Sequence, residues 1–256
     1  MSDELYVGYL EKSPPGPART TRRTVALLAV VVIAVSLMTV IGQRRFARSH
    51  FEWGEPRSFS GRIDDSGLRL ELARPGANAT GQVTAITLVA VGKFGPYTMT
   101  ADWVGRYVEL EGTLIYRDGQ TLIEIVDGSI RAVSADSGSR TGPIQRSIDP
   151  PAIFEDVRLV GEIIDSKCFL GVMKPGNLKP HRACAIRCIS GGIPPLLVVR
   201  DDSGGARYYW LEDLSGVPLR EQVLPYIAEP VAIRGTVVDY TDRTLFRVDP
   251  ATIERL

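Results

Sequence analysis

Two hydrophobic patterns divide the chain. From Thr24 to Gly42 it reads TVALLAVVVIAVSLMTVIG, an uncharged run whose polar members are Thr24, Ser36 and Thr39. A helix rises about 1.5 Å per residue, so this run matches the ~30 Å hydrocarbon core of a bilayer. Its apolar residues fall on every face of a helix, which suits lipid better than one side of a soluble core. The run ends in Gly42-Gln43-Arg44-Arg45, with no small-x-small site of the kind at which a signal peptide is cut. It therefore reads as a retained single-pass transmembrane helix, residues 24–42. Lys12, Arg19, Arg22 and Arg23 precede it, and Arg44, Arg45 and Arg48 follow it. That balance puts the tail, residues 1–23, in the cytoplasm and the rest of the chain outside. The Pro-rich stretch from Ser13 to Ala18 is expected to be disordered. Residues 43–56 form a juxtamembrane segment, where Phe46, Phe51 and Trp53 fit an interfacial belt or packing onto the first soluble domain.

Beyond residue 56 the pattern changes to short runs of alternating apolar and polar residues, the period of half-buried strands. They predict strands at Ser58–Ile63, Leu68–Leu72, Ile86–Val91, Tyr107–Tyr116 and Gln120–Ile125. A second series follows at Arg158–Ile164, Leu196–Arg200, Arg207–Leu211, Val231–Tyr240 and Thr244–Val248. Asp118-Gly119 is a hairpin-turn signal. The two series are copies of one pattern. Val104–Val133 aligns without a gap to Ile227–Leu256, with identities at Val108/Val231, Gly112/Gly235, Thr113/Thr236, Thr121/Thr244, Leu122/Leu245 and Ile130/Ile253. Upstream, GRIDDS from Gly61 matches GEIIDS from Gly161. Each copy carries a short helical stretch before its last hairpin, Thr98–Gly105 and Leu219–Glu229. Three strands, a helix and two strands is the order of an OB-like five-stranded barrel. Gly112 and Gly235 fall mid-strand, where a small barrel needs a bend or bulge. The soluble part is thus all-β: a first OB-like domain over residues 57–133, a polar Gly/Pro/Ser-rich linker over 134–153, and a second OB-like domain over 154–256.

Composition narrows the function classes. Thirty basic residues balance thirty acidic ones, so no basic surplus points to nucleic acid, and none is expected as a partner. Tyr208-Tyr209-Trp210 is the densest aromatic cluster, but consecutive strand residues face opposite sides of a sheet, so it is no single stacking platform. No phosphate loop, Ser-His-Asp set or carboxylate pair is present. Asp64, Asp65 and Asp165 read as turn residues, and no catalytic residue is assigned.

The chemistry concentrates in one segment. All three cysteines, with one of two histidines, lie in DSKCFLGVMKPGNLKPHRACAIRCISGGIPP, Asp165–Pro195. This insertion makes the second copy longer than the first. Pro180 is a suitable first helical residue and Gly191-Gly192 a suitable stop. His181, Cys184 and Cys188 would then share one helix face at i, i+3 and i+7, within reach of Cys168 at the end of the preceding strand. Three readings stand. Cys168, His181, Cys184 and Cys188 are a complete ligand set for Zn²⁺, and thiolates also suit Cu(I). Alternatively, Cys168 pairs with Cys184 or Cys188 in a structural disulfide. Thirdly, Lys167, Arg182 and Arg187 lower the pKa of a reactive thiol, with His181 as its base.

The pattern D-S-K-C, then H-x-x-C-x-x-x-C-x-x-G-G-x-P-P, carried by Asp165, Ser166, Lys167, Cys168, His181, Cys184, Cys188, Gly191, Gly192, Pro194 and Pro195, resembles a group of bacterial exported or membrane-anchored proteins with an OB-like β-domain. The resemblance is strongest over Val160–Leu256. It implies a location in the bacterial envelope, at the inner membrane with the barrels in the periplasm, and a β-barrel scaffold, but no reaction. The expectation is therefore a non-enzymatic binding or scaffold module. It would meet an envelope protein or ligand through the insertion, with metal handling or thiol redox chemistry as the alternative. The first copy, without cysteine or histidine at matching positions, reads as a spacer near the membrane.

Overall fold

The computed structural model describes residues 14–44, 49–73, 83–133, 150–203 and 205–256. The chain divides into two compact units, residues 1–47 and 48–256. The first contains helix α1 (Pro15–Arg44), of 30 residues. Its Pro15–Gly42 stretch is long and apolar enough to cross a membrane. The Thr39 hydroxyl donates to the Val35 carbonyl at 2.9 Å and that of Thr20 to the Gly16 carbonyl at 3.3 Å. Each hydroxyl is thus satisfied within the helix. The helix begins earlier than hydropathy alone predicts. Pro15, Pro17 and Ala18, expected to be disordered, form its first turn, where proline's missing N–H costs nothing. Residues 1–13 and 45–48, with Phe46, lie outside the described residues.

The second unit holds two closed OB-like barrels. The first is built from β2 (Arg57–Ile63), β3 (Arg69–Ala73), β4 (Val83–Val89), β5 (Tyr107–Arg117) and β6 (Gln120–Ile125), with the short helix α2 (Tyr97–Thr100) between β4 and β5. Around the barrel the order is β2-β3-β4-β6-β5 and back to β2, antiparallel except for β4 beside β6. The flanking strands β1 (Ser49–Phe51) and β7 (Arg131–Ala132) both pair with β5. β1 gives the juxtamembrane segment a role in the sheet. Its Phe51 packs against the protein, while Trp53 stays exposed.

The second barrel repeats the topology with β8 (Ala152–Asp165), β9 (Pro195–Arg200), β10 (Ala206–Glu212), β11 (Pro230–Asp239) and β12 (Thr244–Val248), plus the flanking β13 (Glu254–Arg255). Registers match residue for residue. Gly112 faces Ile125 as Gly235 faces Val248, Gly61 faces Val108 as Gly161 faces Val231, and Val108 faces Ala132 as Val231 faces Arg255. A Cβ at Gly112 would strike Ile123, and one at Gly235 the carbonyl of Arg247. These mid-strand glycines are where the barrel wall folds over itself, and β11 carries a bulge just past Gly235.

Two expectations are corrected. β8 starts at Ala152 rather than Arg158. Its first half pairs with β11 while its side chains stay exposed, so it shows no alternation to read. The helix expected over Leu219–Glu229 is a 3₁₀ turn, Glu221–Tyr226, because Pro225 inside it removes a donor an α-helix needs. Linker residues 134–149, and 74–82 between β3 and β4, lie outside the described residues.

Each barrel has its own core, around Ile63, Leu70, Leu88, Leu110 and Ile123 in the first and Ile163, Leu197, Ile233, Phe246 and Val248 in the second. A further core joins them. Val89, Ile115 and Leu122 of the first barrel pack with Ile164, Leu196, Val198, Tyr208, Trp210 and Leu245 of the second. β9 is therefore buried on both faces, which accounts for its unbroken run Leu196-Leu197-Val198-Val199. As alternation requires, Tyr208 and Trp210 face the joint core and Tyr209 the barrel interior. Polar contacts close the rim of this interface. The Tyr208 hydroxyl donates to Asp118 at 2.7 Å, the Ala85 N–H to Asp242 at 2.7 Å, and buried Arg69 to buried Glu212 at 3.0 Å.

Glu212 also meets Arg247 at 3.4 Å, so its removal leaves the Arg69 guanidinium buried with, among the described residues, Asp64 at 3.6 Å to balance it. Glu212→Ala is expected to destabilise the protein by about 3 kcal/mol. Val231→Ala, in the second barrel core, should cost about 2 kcal/mol. Denaturant unfolding of the full chain in detergent measures both.

Candidate metal centre

The Cys/His insertion connects the first and second strands of the second barrel, one of the loop positions that OB folds use for ligands. β8 ends at Asp165 and runs into a single π-helical turn, Cys168–Val172, followed by helix α3 (Leu178–Ser190). Asp165 organises this junction. Its Oδ1 accepts the Cys168 backbone N–H at 2.8 Å and its Oδ2 meets His181 Nε2 at 2.9 Å, with both side chains buried. A carboxylate only accepts, so Nε2 is the donor in this contact.

α3 starts two residues before Pro180, at Leu178, whose N–H donates to the Glu162 carboxylate at 2.5 Å. Pro180 still falls within the first turn, where its lack of a donor is harmless. The helix ends as the glycines predict: Gly191 N–H returns to the Arg187 carbonyl at 3.0 Å, and Gly192 takes φ +99°. Between these limits His181, Cys184 and Cys188 share one face, with His181 and Cys188 buried and Cys184 half-buried.

The four residues singled out by sequence come together as two groups that share Cys168. Cys168, Cys184 and Cys188 have their sulfurs within 4.8 Å of one another, and Asp165, Cys168 and His181 have their ligand atoms within the same span. Cys168 Sγ lies 3.9 Å from Cys184 Sγ and 3.9 Å from Cys188 Sγ. At a Zn–S or similar bond length of about 2.3 Å, ligand sulfurs sit ~3.8 Å apart in a tetrahedron and ~4.0 Å apart in a trigonal plane. Cys168 thus stands at metal-ligand spacing from both other thiols, and all three sulfurs lie within 4.8 Å of one another. The disulfide expected as one reading is not formed. All three cysteines are free, and 3.9 Å is far beyond the ~2.05 Å of an S–S bond.

The cations do not lie where the neighbouring sequence suggested. Lys167 turns away from the thiols into the first barrel, where its Nζ donates to the carbonyls of Ala90 at 2.7 Å and Gly92 at 2.8 Å and pairs with Glu124. Arg182 pairs with Glu229 at 2.6 Å. The cation on the cluster is Lys93, from the loop after β4 of the first barrel, with Nζ 2.6 Å from Cys184 Sγ and 3.9 Å from Cys188 Sγ. The first barrel is therefore not a plain spacer. Its loop is clamped in place: Gly95 N–H donates to the Gly191 carbonyl at 2.9 Å, and a Cβ at Gly191 would strike the Lys93 carbonyl.

These contacts separate the thiols electrically. The hydrogen bond it gives to Cys188, together with burial, pushes the Cys168 pKa well up. The same bond pulls the Cys188 pKa down, helped by Lys93. The bond to Cys184 raises the Lys93 pKa and keeps the amine an ammonium. Asp165 and Lys93 are the site residues that sequence reasoning did not assign. Asp165 stood in the motif but read as a turn, and Lys93 lies in the other repeat with no local signal.

No family model matches the chain, and no curated protein matches it. A solved structure similar to it is that of a deletion mutant of the single-stranded DNA-binding protein from Thermus aquaticus. The identity is 12%, the match covers 82% of this chain and 89% of that one, and the TM-score is 0.22. That neighbour corrects the expectation that nucleic acid is excluded as a partner. A net charge summed over the whole chain averages out local patches, so a neutral total does not exclude that class of partner.

Because one thiol donates to another beside an ammonium, the apo chain should titrate unevenly. Thiolate absorbance near 240 nm should show a first cysteine ionising below the ordinary thiol value of 9.0. That early step should vanish in Cys188→Ser and move upward in Cys168→Ser, which removes the S–H donor.

Proposed function

We propose that this chain is a membrane-anchored, non-enzymatic binding protein that holds one thiophilic metal ion, copper or zinc, in the insertion of its second barrel. The observation that carries the reading is the clustering of Cys168, Cys184 and Cys188, whose sulfurs lie within 4.8 Å of one another, with Cys168 3.9 Å from each of the other two. Soft thiolates select this class of ion. The shell around them supports it: Phe169, Leu170, Ile193 and Leu196 pack about Cys168 and Cys188 and keep water from two of the three ligands. In this reading Cys168, Cys184 and Cys188 are the ligands. His181, gripped by Asp165, holds the Cys168 turn in register. The helix Pro15–Gly42 is the anchor, and the barrels lie outside the cytoplasm, in the bacterial envelope, where a partner delivers or receives the ion.

Two measurements test this. The full chain, purified in detergent under reducing conditions and loaded with copper or zinc, should retain about one equivalent after desalting. Cys184→Ser should lose it, while His181→Ala should keep it with weakened retention. A wild-type chain that retains no metal when reduced, and that yields two of its cysteines as an oxidised pair when purified without reductant, overturns the reading in favour of a disulfide-stapled loop. For the anchor, alkaline phosphatase fused after Leu256 should be active and green fluorescent protein fused there dark. The reverse result puts the barrels in the cytoplasm.

A further inference from the structure

Building on the three-cysteine reading, we propose that Lys93 is the specificity-determining residue of the site, making it a three-coordinate centre for Cu(I) that discriminates against Zn(II). Three observations combine. The first concerns the missing fourth ligand. Cys168, Cys184 and Cys188 form one group, while His181 belongs to another, with its Nε2 committed to Asp165. The second is the occupant of the open side. Cys184 is the half-exposed member of the cluster, and the group lying against it is the Lys93 ammonium, 2.6 Å from Cys184 Sγ and 3.9 Å from Cys188 Sγ. An ammonium has no lone pair, so it cannot become a ligand, and it occupies the exposed flank of Cys184 with a positive charge. The third is the placement of that lysine. Its loop is fixed to the second barrel through Gly95 and Gly191, and through Lys167 on the carbonyls of Ala90 and Gly92. The cation is held at the cluster by the docking of two barrels.

The consequence for selectivity comes from charge and coordination together. Repulsion between the ammonium and a bound ion scales with the ion's charge, so a divalent ion loses twice what a monovalent ion loses. Zn(II) also seeks four ligands, whereas thiolates satisfy Cu(I) as a softer ion of lower charge.

The test is a pair of competition titrations on the full chain in detergent, anaerobic and reduced. Cu(I) is competed with bathocuproine disulfonate and Zn(II) with a chromophoric chelator, giving the ratio of the two affinities. X-ray absorption on the Cu(I) form should show three sulfur neighbours and no nitrogen or oxygen neighbour. Lys93→Met should bring the affinity ratio about tenfold toward zinc, chiefly by tightening Zn(II), and Lys93→Arg should keep the wild-type ratio. Circular dichroism verifies folding. Should Lys93→Met not fold, Lys93→Gln replaces it in the same comparison, and the sulfur count on wild type stands independently. An unchanged ratio in the folded neutral variant, or a fourth nitrogen or oxygen neighbour in wild type, overturns the role of Lys93 and leaves the three-cysteine site standing. Absence of binding by wild type for both ions instead overturns the three-cysteine reading itself.

Discussion

The Lys167 ammonium lies buried between the carbonyl oxygens of Ala90 and Gly92 and the carboxylate of Glu124, all belonging to the barrel that does not contain it. A cation taken out of water is tolerated only where acceptors and an opposite charge surround it. The second barrel therefore cannot part from the first without opening this socket and stranding Glu124. The same contact fixes the loop after β4. That loop delivers Lys93 to the thiols and Gly95 to the end of α3. The candidate metal centre is assembled across the joint between the barrels, with Lys167 as its pin.

Duplication explains how such a joint arises from one fold. Both barrels close with the same registers, and both thin their walls with glycine at equivalent positions. The copies differ in the connection between their first two barrel strands. In the first, Asp64 accepts the backbone N–H groups of Leu68 and Arg69 at 3.0 Å each and completes a tight turn. In the second, Asp165 caps the π turn and holds His181. Asp165, which the repeat aligns with Asp65 rather than Asp64, thus caps its turn one position later and takes a side-chain partner from the insertion behind it.

Burial and charge act together at the cluster. Cys168 and Cys188 sit in the joint core with Phe169, Ile193 and Leu196, where an isolated thiolate is costly. The S–H of Cys168 and the Lys93 ammonium offset that cost at Cys188 and Cys184. The cluster thereby combines an apolar shell with a charge supplied from the neighbouring barrel. Neither domain provides both.

The strands, the repeat and the long apolar helix were legible in the sequence because each rests on a local period. Alternation marks strands such as Gln120–Ile125 and Thr244–Val248 to the residue. An ungapped match aligns the two hairpins, and i, i+3, i+7 spacing puts His181, Cys184 and Cys188 on one helix face. The exposed half of β8 escaped because a strand with no buried face carries no alternation. Only the tertiary structure decided that the barrels share a core, that Lys167 serves the interface rather than the thiols, and that Lys93 serves the thiols. Lys93 and Cys184 are brought together by the packing of separate repeats, and nothing near either residue encodes that contact. Local sequence reports what a residue's own element requires, whereas the charge at this site is set by an element folded elsewhere in the chain.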